Sequence, residues 1–335
     1  MAAPSISIAL CTRNGARFLE AQLASLARQS ALPDELVVGD DASDDATLEI
    51  VARFAREAPF PMRTIARREA VGHRENFLAT ARECRGEWIA FADQDDVWLE
   101  HKLAESRAVI AAHPQVLLVN QRALLCDEAL SPRSEAPFPP DRRAGLHHRP
   151  HRRLPLVWPG FLMTVHARLL RDFDPALRPR LGDGSPIGHG RWSFLLAAAL
   201  GSYFVTAAPA ALYRRHPETL TGEYRDAPRR LGGLTARSHQ AVDAERDYAA
   251  AAAAALGRLA EVAAPEDMLH LRAAAADYAE AGDALARRCR CYSGALASRL
   301  GAWLSAARRG AYVGSPLYAG GFRAGAKDAA AALGL

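Results

Sequence analysis

Apolar and polar residues alternate in blocks along the first hundred positions. Ile6-Ser-Ile-Ala-Leu10 is an apolar run ended by Cys-Thr-Arg-Asn-Gly, a strand followed by a turn signal. From Phe18 to Gln29 the apolar residues fall at 18, 19, 23 and 26, which predicts a helix. Glu35-Leu-Val-Val38 is a second strand, closed by Gly39-Asp-Asp-Ala-Ser-Asp-Asp-Ala-Thr47, and Thr47 opens a helix through Phe54. Met62–Ala66 and Asn76–Arg85 form a third strand and helix, and Gly86-Glu-Trp-Ile-Ala-Phe91 a fourth strand running into Ala92-Asp-Gln-Asp-Asp-Val-Trp98. This alternation predicts an α/β domain with a mostly parallel central sheet, whose ligand site lies beyond the carboxyl ends of the strands.

The later pattern is less regular. Residues 131–155, rich in Pro, Arg and His, read as a mobile surface loop, and 156–165 as a strand broken by Pro159-Gly160. Residues 178–190 are a Gly-rich loop leading to a helix from Arg191. Beyond about Pro228 the chain turns Ala-rich, with long helices at 236–262 and 265–291. The pattern predicts two parts, 1–227 and a helical C-terminal region 228–335, with no internal repeat.

Charge and cysteine content narrow the classes. Lys+Arg at 42 against Asp+Glu at 38 leaves +4, too small an excess to argue for nucleic acid. Nearly all the cations are Arg, with only Lys102 and Lys327, in an Ala-, Arg- and Gly-rich chain of the kind GC-biased coding produces. Five cysteines without a CxxC pair or zinc spacing fit a reducing compartment. Met1–Gly15 lacks a basic segment ahead of an apolar core, so no secretory leader is expected. Residues 192–213 carry no charge and are long enough to span a bilayer, but Gly201-Ser202 and Pro209 divide them. A buried helix followed by a buried strand is the expectation.

Two motifs carry chemistry. In Asp93-Gln-Asp95-Asp96 three carboxylates follow an apolar strand directly, an arrangement that costs free energy unless a cation shares their field. Acids spaced one residue apart in an extended turn can bind a hard divalent ion through oxygen, and such an ion neutralises a departing diphosphate. A solvated acidic turn is the plainer alternative. In Asp40-Asp41-Ala-Ser43 an Asp can accept hydrogen bonds from a base or ribose, or the segment can serve as the cap of the next helix, through Ser43 or Asp44.

These segments resemble glycosyltransferase family 2. Ser7-Ile-Ala-Leu-Cys-Thr-Arg-Asn-Gly15, Val37 to Thr47, Gly72-His-Arg-Glu-Asn-Phe77 and Asp-Gln-Asp-Asp-Val-Trp98 stand in the family's order and spacing. The last is especially similar to bacterial rhamnosyltransferase-like members. Trp158-Pro-Gly160 and Leu212-Tyr-Arg-Arg-His216 extend the likeness to about residue 222, and Gly-Phe-Arg-Ala-Gly-Ala-Lys-Asp328 weakly echoes the family's ends. No GxGxxG or Walker A pattern competes.

The resemblance implies a GT-A fold and a metal-dependent inverting transfer of a sugar from a nucleoside-diphosphate donor. The acceptor would be a glycan or lipid-linked molecule of bacterial surface polysaccharide assembly. It implies a cytoplasmic protein, with peripheral attachment at the inner face of the cell membrane allowed. Carried over, Thr12, Asn14, Asp41, Asn76 and Asp93 would contact the nucleotide-sugar. Asp93, Asp95 and His216 would hold Mn²⁺ or Mg²⁺, and Trp98 would be a packing residue. The chain departs from the pattern at His189-Gly190-Arg191-Trp192, where similar proteins carry an Asp as general base. Glycine cannot take a proton, so Asp183 and His189 become the base candidates. A catalytically degenerate sugar-nucleotide binder or scaffold is the alternative.

Overall fold

The computed structural model describes residues 3–136, 143–148, 159–217, 219, 234–309 and 321–333. Strand β1 (Ile6–Thr12) is followed by α1 (Ala16–Ala27), β2 (Glu35–Asp40), α2 (Thr47–Ala55), β3 (Met62–Ala66), α3 (His73–Glu83) and β4 (Trp88–Ala92). Every residue of β1, β2 and β4 is buried, as expected where helices cover both faces of a parallel sheet. The short β5 (Val97–Trp98), helix α4 (Lys102–Ala112) and the long β6 (Val116–Cys126) come next. They lead to β7 (Pro132–Glu135), β8 (Gly145–His148), β9 (Met163–His166), α5 (Arg168–Arg171), α6 (His189–Leu200) and β10 (Ser202–Arg214).

The sheet runs β3-β2-β1-β4-β9-β6-β10-β5, with β7 beside β6 and β8 beside β10. Pairs β1–β2, β1–β4, β2–β3 and β6–β10 are parallel, while β9 is antiparallel to both of its neighbours and β5 to β10. Inside, Ile6, Ile8 and Leu10 of β1 pack with Leu19, Leu23 and Leu26 of α1 in the main hydrophobic core.

Some elements differ from the sequence reading. The segment taken as a loop at 131–155 contains β7 and β8, which find partners in the remote strands β6 and β10; residues 137–142 and 149–158, including Trp158, lie outside the described residues. The broken strand expected at 156–165 is a short turn of 3₁₀-helix at Gly160–Leu162 followed by β9. Residues 192–213 form the end of α6 and most of β10, and no helix of the described residues is long and apolar enough to cross a membrane.

The chain divides into two units. One comprises Met1–His148, Val157–Pro175 and Gly188–Arg225, and the other Arg149–Leu156, Ala176–Ile187 and Asp226–Leu335. The second contains α7 (Leu234–Val262), α8 (Pro265–Cys289), α9 (Leu296–Arg308) and α10 (Gly321–Leu333). Pro at the start of α8, with Glu266 and Asp267 in its first turn and Arg287 and Arg288 in its last, matches the helix dipole at both ends. A buried ion pair from Arg288 to Asp328 (2.7 Å), joined by the Tyr292 hydroxyl donating to Asp328, ties α10 to the end of α8. All five cysteines are buried free thiols.

One core position is costly. Lys102 is fully buried at the start of α4, donating from Nζ to Gln121 Oε1 (2.8 Å) and lying over the Trp98 ring at 4.8 Å. Burial pushes its amine down to about 7, against the raising influence of Glu105 and Asp96. A lysine with a depressed folded-state pKa takes up a proton on unfolding between that value and its ordinary one of about 10.4, so its penalty is relieved as pH rises through that window. The unfolding free energy of the wild type relative to Lys102→Met should therefore climb by about 1.4 kcal/mol per pH unit between about pH 7 and 10. Below that window the difference should be level. Urea denaturation of both proteins across this range checks it, and a pH-independent difference would count against a neutral buried amine.

Candidate active site

The carboxyl ends of β1, β2 and β4 lie side by side, with Thr12 registered on Asp40 and Leu10 on Ala92. The three loops that leave them are knitted together by side chains. Thr12 Oγ1 donates to Asp40 Oδ2 (2.8 Å), and Asp40 also accepts from the Ser43 backbone N–H (2.9 Å). Successive amides after β1 find partners in the loop after β2: Asn14 N–H donates to Ser43 Oγ, Gly15 N–H to Thr47 Oγ1 and Ala16 N–H to Asp45 Oδ2. The polar run 40–47 thus satisfies the exposed amides at the start of α1, while Asp45 Oδ1 accepts the Thr47 amide as α2 begins. Asn14, in the left-handed region at φ 48°, returns the contact by accepting from the Asp44 amide.

Gln94 joins the third loop to the first. Its amide accepts from Arg13 N–H (2.8 Å) and donates to Arg13 C=O (3.0 Å). A Cβ at Gly15 would come within 2.3 Å of Gln94 Oε1, so only glycine leaves room for this clasp. The sequence reading passed over Gln94 because the flanking acids dominate the motif.

Asp41 is 2% exposed and accepts from the Val71 and Gly72 amides at 2.7 and 2.8 Å, with Arg13 3.8 Å away. It therefore anchors the loop between β3 and α3. Asn76, expected to touch the nucleotide-sugar, is buried: it donates to Gly39 C=O (2.7 Å) and accepts from Arg67 Nε (3.0 Å). Its side chain braces α3 against β2.

The acidic turn after β4 splits in two directions. Asp93 faces α3, with Oδ1 3.8 Å from His73 Nε2. Asp95 faces the end of β10, where its Oδ2 lies 2.9 Å from His216 Nε2. Burial, and then the charge of Asp93, raises the Asp95 carboxyl pKa against the opposing effect of His216. Asp96 is fully buried and accepts from the Arg214 backbone N–H (3.1 Å); burial, with Asp95 and Asp93 adding to it, holds its carboxyl well above the ordinary range.

Arg214, which the sequence reading did not single out, organises this turn. Its Nε donates to the Asp95 C=O (2.7 Å), another guanidinium nitrogen donates to the Glu128 C=O, and its guanidinium lies 4.6 Å from the Phe18 ring centre. The antiparallel register of β5 on β10, Trp98 on Ala211 and Val97 on Leu212, brings Arg214 and His216 to the acids. The available signal was the cationic run Arg214-Arg-His216 following an apolar strand.

Of the three expected metal ligands the structure therefore brings two together. Among the described residues no group of three or more His, Cys, Asp and Glu converges as a metal cage; Asp93 lies 3.8 Å from His73, and Asp95 2.9 Å from His216. The remaining pair is joined by a hydrogen bond at 2.9 Å, and its imidazole nitrogen and carboxylate oxygen are donors that a divalent cation can take only once the shared proton is lost. His216 is 6% exposed, packs on Phe18 with ring centres 4.5 Å apart, and its Nδ1 has no hydrogen-bond partner among the described residues.

Both base candidates already hold contacts in the structure. Asp183 accepts from both the amide (2.9 Å) and the hydroxyl (2.6 Å) of Ser185 in an exposed turn of the helical unit. His189, 4% exposed in the first turn of α6, sits in an aromatic column with its ring centre 4.0 Å from Phe77 and 4.6 Å from Phe91. A Cβ at Gly160 would lie 1.9 Å from His189 Nε2, so the Pro-Gly turn is shaped around this ring. Gly190 is buried in the same helical turn and is not among the described glycines with positive φ. Trp98 is a packing residue, 2% exposed, whose amide donates to Ser25 Oγ.

Residues 7–171 match the family model for glycosyl transferase family 2. An uncharacterised protein of Mycobacterium tuberculosis is 33% identical over 90 residues, 27% of this chain and 26% of that protein. An uncharacterised glycosyltransferase of a Nostoc species is 33% identical over 98 residues, 29% of this chain and 30% of the relative. These matches span less than a third of each curated relative's length. Among solved structures, S. aureus TarS 1-349 in complex with UDP-GlcNAc superimposes with a TM-score of 0.53 at 17% identity, covering 92% of this chain and 93% of that one. The same protein in complex with UDP gives 0.51 at 18%, covering 82% and 91%. With its mostly parallel sheet and the loops that gather beyond β1, β2 and β4, the segment 7–171 is a glycosyl transferase family 2 domain on the GT-A fold.

Proposed function

We propose that this protein transfers a sugar from a nucleoside-diphosphate donor to a hydroxyl of a glycan or lipid-linked acceptor, with inversion at the anomeric carbon, in bacterial surface polysaccharide assembly. The observation that carries this reading is the Asp95–His216 pair at 2.9 Å, set beside Asp93 and Asp96 at the ligand-binding edge of a family 2 domain. TarS, similar in fold, is solved with UDP and with UDP-GlcNAc, which favours a nucleoside-diphosphate donor here.

Asp95 and His216 are the residues that would hold Mn²⁺ or Mg²⁺, and such an ion supplies charge neutralisation to the departing diphosphate. Asp93, half-turned toward His73, stands where it adds negative potential to the same edge. Thr12 and Asn14 order the β1 loop that would flank the donor. Asp41 acts through Val71 and Gly72, whose loop it fixes, and Asn76 through Gly39. Arg214 holds the acidic turn by its main chain, so its role is positioning.

Calorimetry of nucleoside diphosphate binding with and without Mn²⁺ tests the ion site. Asp95→Ala should remove the Mn²⁺-dependent gain in affinity, a loss of at least ~10-fold, while leaving the fold intact. Undiminished Mn²⁺-dependent affinity in the mutant would reject Asp95 as a ligand.

The second reading, a domain that binds donor without turnover, is favoured by Gly190 together with the structural engagement of Asp183 and His189. Gly190→Asp discriminates between them. Position 190 is helical, and the first turn of a helix favours a carboxylate. A correctly placed base contributes ~10²–10⁴-fold. An inert wild type whose Gly190→Asp variant gains donor hydrolysis or transfer identifies a degenerate enzyme. An active wild type that loses activity in Asp183→Asn locates the base in the 178–187 loop and refutes the binder reading. An active wild type indifferent to both substitutions places the acceptor elsewhere.

A further inference from the structure

The helical unit carries its charge unevenly. Between Asp283 and Asp328 the sequence contains no Asp or Glu, yet it holds seven Arg and Lys327. Asp328, at the far edge of this stretch, is 0% exposed and already paired with Arg288. The positive charge that remains at the surface therefore has no acidic counterpart within the segment. Arg290, Arg308, Arg309 and Lys327 are all exposed.

Helix α9 lies in the middle of this stretch and buries only part of its circumference. Trp303 Nε1 donates to Gly325 C=O (3.1 Å), and Ala306, 0% exposed, packs with Trp303 and Ala324, which fixes one side of α9 against α10. The adjoining side is apolar and open. Leu296, Leu300 and Leu304 recur in steps of four, so they form one stripe that drifts by about 80° across the helix surface. Leu296 is 50% exposed and Leu304 46% exposed, unusually high for leucines on a packed helix, and Leu300 is half-buried.

We propose that α9 docks on an anionic lipid surface, with the leucine stripe entering the boundary between headgroups and acyl chains and the exposed Arg308 and Arg309 at the helix's end meeting lipid phosphates. An exposed apolar stripe ending in arginines is the composition of helices that lie in a bilayer interface. Charge decides among the occupants. A second copy presenting the same face would set acid-free arginine clusters against one another, which is repulsive. A bilayer supplies dense anionic charge and accepts a leucine stripe without shape complementarity. This inference is independent of the transferase reading and of the metal site.

The test is partition of the full-length protein onto phosphatidylcholine vesicles with and without phosphatidylglycerol. The wild type should bind the anionic vesicles, bind neutral ones on the order of tenfold or more weakly, and be released by high salt. Arg308→Gln/Arg309→Gln should lower binding to anionic vesicles on the order of tenfold or more. Leu296→Ser/Leu304→Ser should lower it about tenfold, from the apolar area no longer inserted. All four positions are exposed, and circular dichroism would verify that the helices persist. The salt and lipid dependence of the wild type needs no variant. The proposal is overturned by absence of binding to either vesicle, by equal binding to both, or by variants that bind like the wild type. Self-association in solution that the leucine variant abolishes, without vesicle binding, would instead assign the stripe to a second copy.

Discussion

Three carboxylates packed into one turn at the mouth of a buried sheet repel one another, and the arrangement around that turn serves to hold them there. At roughly 4 Å, two like charges cost about 4 kcal/mol at the effective dielectric of a protein surface. The structure spreads this cost in several ways. Asp93 and Asp95 point to opposite sides, toward His73 and His216. Asp96 is withdrawn from solvent, where burial favours its neutral form, and its carboxyl accepts a backbone N–H. Arg214 brings a cation to the main chain of the turn itself. The register of β10 makes this delivery: with Leu212 paired on Val97, the strand's end carries the Arg214 amide to Asp96 and His216 to Asp95.

That dependence explains what the amino-acid pattern reveals and what it conceals. The first four strands and three helices are local, with apolar runs bounded by turn residues. They are legible to within a few positions, as with β3 at Met62–Ala66 and α2 beginning at Thr47. The residues 101–130 drew no assignment, yet contain α4 and the eleven-residue β6. In β6 the core alternation is blurred by the buried polar residues Asn120 and Gln121, the second of which serves Lys102. Strands β7 and β8 were hidden for a different reason. Pro, Arg and His carry no strand propensity, and these segments are strands through pairing with remote partners.

The site was legible in its charges and obscure in its supports. Asp95 and His216 stand 121 positions apart in sequence and lie within hydrogen-bond distance in the structure. Asp41 and Asn76 sit beside the expected site, but their hydrogen bonds are spent on Val71, Gly72, Gly39 and Arg67. Neither role has a local sequence signal, because the partners are mostly backbone groups, which every residue carries. Gln94 and Arg214 were missed on the same ground. Each acts mainly on the main chain of another loop, so nothing about its neighbours in sequence announces the contact.

The departure at Gly190 is local because of what surrounds it. The preceding His189 cannot swing out to replace a missing carboxylate without leaving its contacts with Phe77 and Phe91, and aromatic pairs of this kind contribute about 0.5–1.5 kcal/mol each beyond the area they bury. Nor can the column shift toward Gly160, whose lack of a side chain is already used to admit the imidazole edge. The first turn of α6 is thus held by packing on both sides, with no acidic residue in it to complement the helix dipole. A substitution at position 190 would therefore change the side chain presented by this turn without moving the turn, since its backbone is already helical and His189 beside it is packed.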